Sequence, residues 1–146
     1  MRNAFIASTG SYLPEKVISN EDLTQFPQEA IQLIGEKTGV FFRRVASDKE
    51  CTSDLAVQAA MKCLNNIDYP PEHVEGILLA TSSPDRMQPA TATRVQHIIG
   101  AKKAFAFDIN SVCSGSAFGI AMADALSNPD TAEISFWSLR KCIRKS

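Results

Sequence analysis

A chain of 146 residues is one domain by the usual length prior and long enough to bury a core. Its net charge of −1, from 15 basic against 16 acidic residues, gives no reason to propose nucleic acid or an anionic membrane as a partner. Cys51, Cys63, Cys113 and Cys142 show no Cys-x-x-Cys pairing and only His73 and His97 are available to help them hold a metal, so we expect reduced thiols, no metal and a cytoplasmic protein with neither a targeting segment nor the ~20 apolar residues that span a bilayer.

In chain order, Asn3 to Thr9 is apolar enough for a strand, ended by Gly10 and Pro14. Ser19 followed by Asp22 is a capping-box-like start for a short helix over Asn20 to Gln25, stopped by Pro27. A second helix is expected around Ala30 to Glu36, its reach limited by Gly35 and Gly39. From Ser53 to Asn66 the residues Leu55, Ala56, Ala59, Ala60, Cys63 and Leu64 recur at helical spacing, with Ser53 as N-cap. Val74 to Ala80 reads as a buried strand, Thr91 to Ile99 as a helix closed by Gly100, and Ala104 to Ile109 as another strand. Helix after strand after helix implies an α/β fold with a parallel or mixed sheet covered by helices, without internal repeats or low-complexity segments.

The segment Phe107-Asp108-Ile109-Asn110-Ser111-Val112-Cys113-Ser114-Gly115-Ser116-Ala117-Phe118-Gly119 then sets one cysteine between a short apolar strand and a small-residue helix that runs to about Leu126. Unpaired N–H groups in a helix's first turn stabilise a thiolate and can also hold a developing oxyanion. One backbone turn can therefore serve both halves of an acyl-transfer site, with Cys113 as the nucleophile. Taken without its flanks, Cys113 reads as an ordinary buried free cysteine. Gly115, Gly119 and Ala123 recur at four-residue intervals, and because glycine inside a helix costs roughly 1 kcal/mol against alanine, we expect another helix to approach that face closely.

Five further segments precede the cysteine in order: Gly10-Ser11-Tyr12-Leu13-Pro14; Lys37-Thr38-Gly39-Val40 with Arg43-Arg44; Ser53-Asp54-Leu55-Ala56; Ile77-Leu78-Leu79-Ala80-Thr81-Ser82-Ser83; and Pro89-Ala90-Thr91-Ala92. Together, from about Ala4 to Asp130, they resemble the N-terminal half of a β-ketoacyl-acyl-carrier-protein synthase III, a thiolase-fold condensing enzyme. The resemblance implies a thiolase-like half-domain over residues 1–132, a mixed sheet covered by helices, and a buried central helix that starts at the catalytic cysteine and packs on a counterpart from the family's C-terminal half. It implies that Cys113 accepts an acyl group from a coenzyme A thioester and that a carbanion, made by decarboxylating malonyl-acyl-carrier protein, attacks the acyl-enzyme. Acyl-coenzyme A and malonyl-acyl-carrier protein are then the partners, with coenzyme A as substrate rather than cofactor. The histidine and asparagine that assist this chemistry come from the family's C-terminal half; His73 and His97 match neither and read as structural or surface residues, so no complete turnover is expected of this chain alone.

The same resemblance gives candidate substrate-binding positions. Leu33 and Lys37 stand where the bacterial family type carries a tryptophan and an arginine that bracket the coenzyme A adenine. Leucine cannot stack on adenine, and lysine is a point charge where arginine is a planar fork, so coenzyme A is expected to bind the isolated chain weakly or not at all. Lys37 reads either as a phosphate contact or as a solvated surface lysine, and Arg43 and Arg44 either meet a pantetheine phosphate or lie in solvent. Gln88, just before Pro89, falls where the family has a large residue reaching across the dimer into the partner's acyl pocket; a polar residue there implies an unusual or short acyl chain, unless Met87 moves in. A homo-oligomer is expected.

Residues 133–146 depart from the family's strand and Gly-Ala-Glu-like turn. With permissive codon choices, reading that tail from the third base of the Glu133 codon restores a string resembling both, so we expect a frameshift near Glu133; the alternative is a natural short protein with a basic tail. Two rival functions stand beside acyl transfer. One is a non-catalytic half-domain that binds a partner chain or carrier protein. The other is a cysteine hydrolase with a nucleophile elbow, since Ser111-Val112-Cys113-Ser114-Gly115 approximates Gly-x-Cys-x-Gly, although serine replaces the first glycine and no suitably placed histidine follows.

Overall fold

The computed structural model describes residues 5–127 and the backbone of residues 134–138. Two compact units emerge: Leu13–Glu50, and a larger one that joins the chain before Leu13 to the chain after Glu50.

In the Leu13–Glu50 unit, β1 (Val17–Ser19) pairs antiparallel with β2 (Phe42–Arg44), Ile18 opposite Arg43, and α1 (Gln28–Thr38) lies between them in sequence. The capping box forms as expected, with the Ser19 N–H donating to Asp22 Oδ2 at 2.6 Å, but the helix over Asn20 to Gln25 does not follow it. The chain instead makes successive three-residue turns, the Leu23 N–H bonding the Asn20 carbonyl and the Phe26 N–H the Leu23 carbonyl. Pro27 lacks an N–H and pushes Phe26 out of the α region, so no turn can propagate across it. The next helix extends the expected Ala30–Glu36 span at both ends. Gly39, at φ 65°, closes it with its N–H on the Gly35 carbonyl. Gly35 does not limit the helix; it is buried in it, and a Cβ there would stand 3.2 Å from the Phe41 ring.

The larger unit contains α2 (Thr52–Asn65), β3 (Gly76–Ala80), α3 (Thr91–Ile99), β4 (Phe105–Ile109), α4 (Gly115–Leu126) and β5 (Ile134–Ser138). The strands form one parallel sheet in the order β4-β3-β5, within the parallel or mixed sheet expected, and the other unit holds a separate antiparallel ribbon. All five residues of β3 are buried, as a central parallel strand requires. Ile77 and Leu79 on one face join Ala56, Ala60 and Leu64 of α2 and Ala92, Val95 and Ile99 of α3 in the core. Ala80, on the opposite face by strand alternation, meets α4 at Gly115, where a Cβ would stand 3.3 Å from the Ala80 Cβ. At Gly115 the close approach is to a strand.

Two sequence expectations fail in this unit. Residues 5–9 are not a strand. Their polar groups turn to α2 instead: the Ser8 hydroxyl bonds the Cys63 carbonyl at 2.9 Å and the Asn66 amide bonds the Thr9 carbonyl at 3.0 Å. Ser53 is not the N-cap of α2; Cys51 is, its thiol paired with the Asp54 N–H while the Asp54 carboxylate accepts from the Cys51 N–H at 2.8 Å. Ser53 is fully buried as the second residue of the helix.

Candidate active site at the Cys113 turn

Strand β4 ends at Ile109, and its last carbonyl accepts the Thr81 N–H at 3.0 Å, which pins the strand's exit to that of β3. Four residues on stands Cys113. It does not begin the α-helix, as expected, but occupies a single 3₁₀ turn, Val112–Ser114, that feeds into α4. Val112 enters that turn at φ 44°, the left-handed region that a β-branched residue rarely adopts. Such strain persists only where surrounding structure over-determines it, and it collects at functional turns.

Two first-turn amides that the sequence reading assigned to an oxyanion are spent inside the turn. The Ser114 N–H bonds the Ser111 carbonyl at 3.0 Å and the Gly115 N–H bonds the Val112 carbonyl. Ser114 is tied further, its hydroxyl donating to the Ser111 carbonyl at 2.8 Å. The Cys113 amide, without a partner among the described residues, is the donor left beside the thiol. The thiol itself is exposed, not buried as a structural cysteine would be. Cys51 is a second exposed cysteine at a helix N-terminus, which sequence reading missed because it placed the cap two residues later.

The other candidates fall in both units. Leu33 and Lys37 sit one turn apart on α1 and share an exposed face. Arg43 is turned into its own unit: its guanidinium donates to Asn20 Oδ1 and, at 3.3 Å, to the Ser19 carbonyl. Arg44 likewise donates to the carbonyls of Pro14 and Glu15 at 3.2 and 3.0 Å. Gln88 is exposed, joined to Pro89 by a cis peptide bond, and neighbours Met87, which is 91% exposed. Among the described residues no group of three or more histidine, cysteine, aspartate and glutamate side chains could hold a metal ion, and no helix is long and apolar enough to cross a membrane.

One residue near this turn carried a sequence signal that went unread. Asp108 is an acid within the apolar strand Phe105-Ala106-Phe107-Asp108-Ile109, where aspartate is disfavoured. Both its oxygens accept backbone bonds from the start of α3, the Thr91 N–H at 2.7 Å and the Ala92 N–H at 2.8 Å.

No family model matches the chain. The β-ketoacyl-[acyl-carrier-protein] synthase III of Hyphomonas neptunium is 45% identical over 125 residues, which is 86% of this chain and 39% of the relative. The crystal structure of the corresponding synthase III from Thermus thermophilus superposes with a TM-score of 0.77 at 37% identity, covering 84% of this chain and 38% of that one. That from Pseudomonas aeruginosa gives a TM-score of 0.77 at 38% identity, covering 86% and 38%. The chain therefore spans about 39% of the length of the curated relatives it matches.

Proposed function

We propose, for a chain whose sequence and fold are those of the N-terminal portion of a β-ketoacyl-[acyl-carrier-protein] synthase III, that it carries the nucleophile of acyl transfer and that the nucleophile is Cys113. The observation that carries the reading is an exposed thiol at a strained strand-to-helix turn with its own amide left to donate. The thiolate attacks the carbonyl of an acyl-coenzyme A; the new carbon–sulfur bond forms, the bond to coenzyme A breaks, and coenzyme A leaves as a thiolate that takes a proton from solvent. The Cys113 N–H supports the oxyanion between those events.

Decarboxylative condensation with malonyl-acyl-carrier protein follows in the whole enzyme, so the carrier protein, a homo-oligomer and a cytoplasmic setting belong to the same proposal. Leu33 and Lys37, exposed one turn apart, remain candidates for coenzyme A contact, and Gln88 for the acyl chain. The guanidinium of Arg43 is engaged by Asn20 and Ser19, which leaves it less to offer a phosphate. A second reading, a half-domain that binds a partner chain without chemistry, draws support from the exposed apolar side chains of α4, including Phe118 and Ile120.

Release of free coenzyme A from acetyl-coenzyme A separates the readings. Acyl transfer predicts a burst of about one equivalent per chain that then stops, absent in Cys113→Ser. Steady multiple turnover supports the hydrolase instead, and no release supports the partner-binding reading.

A further inference from the structure

Helix α3 begins without a local cap. Its N-cap position is Ala90, no side chain there satisfies the first amides, and its first turn holds no acid. A helix start left this way is costly where it is partly buried. Asp108 supplies what is missing from another element: a carboxylate on β4 that accepts two amides of α3, each as a charge-assisted bond. The connection continues outward. Thr91 Oγ1 accepts the Asp85 N–H at 3.0 Å, and Asp85 Oδ1 accepts the Ser53 N–H in the first turn of α2 at 3.0 Å. The loop that presents Met87 and Gln88 lies between Asp85 and Thr91, and the bond between those two residues closes its base.

Asp108 is also the penultimate residue of the strand from which the Cys113 turn hangs. With the Thr81 N–H bonding the Ile109 carbonyl, it fixes the base of a segment that holds Val112 at φ 44°. We propose that Asp108 is a positioning residue for Cys113: its double cap on α3 makes the end of β4 rigid enough to keep Val112 in its left-handed conformation and so sets the cysteine at its turn. This rests on the reading of Cys113 as nucleophile, but its test does not need acyl transfer.

The measurement is the alkylation rate of each thiol of the full chain by iodoacetamide, resolved by peptide mapping. Asp108→Asn leaves one acceptor for two amides and removes the charge. We expect Cys113 to slow by at least about fivefold while Cys51 and Cys63 stay within about twofold. Thr91→Pro removes one of the same bonds from the amide side, together with the hydroxyl that accepts the Asp85 N–H, and suits the first helical position, so it is expected to slow Cys113 likewise and keeps the proposal testable if Asp108→Asn fails to fold. Glycine adopts positive φ without strain, so in a Val112→Gly background Asp108→Asn should slow Cys113 much less. A merely structural role would give the same effect in both backgrounds. The proposal is overturned by unchanged Cys113 rates in both variants, by Cys63 accelerating in step as the fold loosens, or by an equal effect in the Val112→Gly background. If coenzyme A thioesters never acylate Cys113 while these rates behave as expected, the acyl-transfer reading fails and the positioning role stands.

Discussion

At the scale of single residues, two exposed cysteines share one feature and differ in another. Cys51 and Cys113 both precede helices, but the Cys51 thiol is engaged by the Asp54 N–H in a capping box, whereas Cys113 sits on a strained turn. If a helix N-terminus alone made a thiol reactive, the two would alkylate alike. We expect Cys113 to be modified faster than Cys51 and the half-buried Cys63 under competitive iodoacetamide labelling; preferential labelling of Cys51 would contradict the site assignment. Gly10 makes a different demand. A Cβ there would lie 2.3 Å from the Ala59 carbonyl oxygen and 2.5 Å from the Cys63 nitrogen, both backbone atoms of α2 that cannot swing aside. Gly10→Ala should cost about 1–3 kcal/mol in urea unfolding, and a neutral substitution would mean the N-terminal segment does not press on α2. The sequence placed Cys113 at a strand-to-helix junction because apolar and small-residue runs meet there. It could not reveal the strain at Val112 or the reach of Asp108, since neither a positive φ nor a cap supplied from 17 positions away follows from local spacing.

At the scale of elements, the helices α2 and α3 and the strands β3 and β4 were legible to within two residues, because each carries a strong apolar period and a glycine or polar stop. Where tertiary context decides, legibility ended. The first segment has strand composition but spends its polar groups on α2, and Ser19 with Asp22 forms a capping box whose helix Pro27 forestalls. That box titrates. The Ser19 N–H and hydroxyl, with the charge of Lys16 behind them, hold the Asp22 carboxyl below the usual carboxylate range. A lowered carboxylate contributes stability that is present above its unfolded value, about 3.9, and is lost as pH falls through the lowered one. Protection of the Ser19 amide against hydrogen exchange should therefore hold from about pH 7 down to about 4 and fade below it. Protection that does not depend on the ionisation of Asp22, persisting unchanged in Asp22→Asn, would show that the amide has another acceptor.

At the scale of the whole molecule, α4 is the element least at rest. Nearly every residue of Gly115–Leu126 is apolar or small, yet only Gly115 and Gly119 are buried, and the helix expected to be central and covered exposes Phe118, Ile120, Met122 and Leu126. A helix that is apolar all round is ordinarily buried. We therefore expect self-association of the chain, seen as concentration-dependent sedimentation at micromolar levels; a monomer at every concentration would mean that this surface is covered from within. The expected tail over 133–146 bears on this, but only the backbone of Ile134–Ser138 is described: it adds a parallel strand to β3, with Ile134 opposite Gly76, and the rest of the tail lies outside the described residues. The frameshift expectation belongs to the gene, and sequencing through the Glu133 codon decides it.

If Cys113 is the nucleophile, the α/β frame holds its thiol just beyond the end of β4, where a thioester can reach it. The most direct measurement is to incubate the chain with labelled acetyl-coenzyme A and map the label by peptide analysis after quenching. Acyl transfer through Cys113 predicts a hydroxylamine-labile acyl group on the peptide that contains Cys113, and its absence in Cys113→Ala. Label on Cys51 or Cys142 instead, or no label at any thiol at saturating thioester, would contradict it.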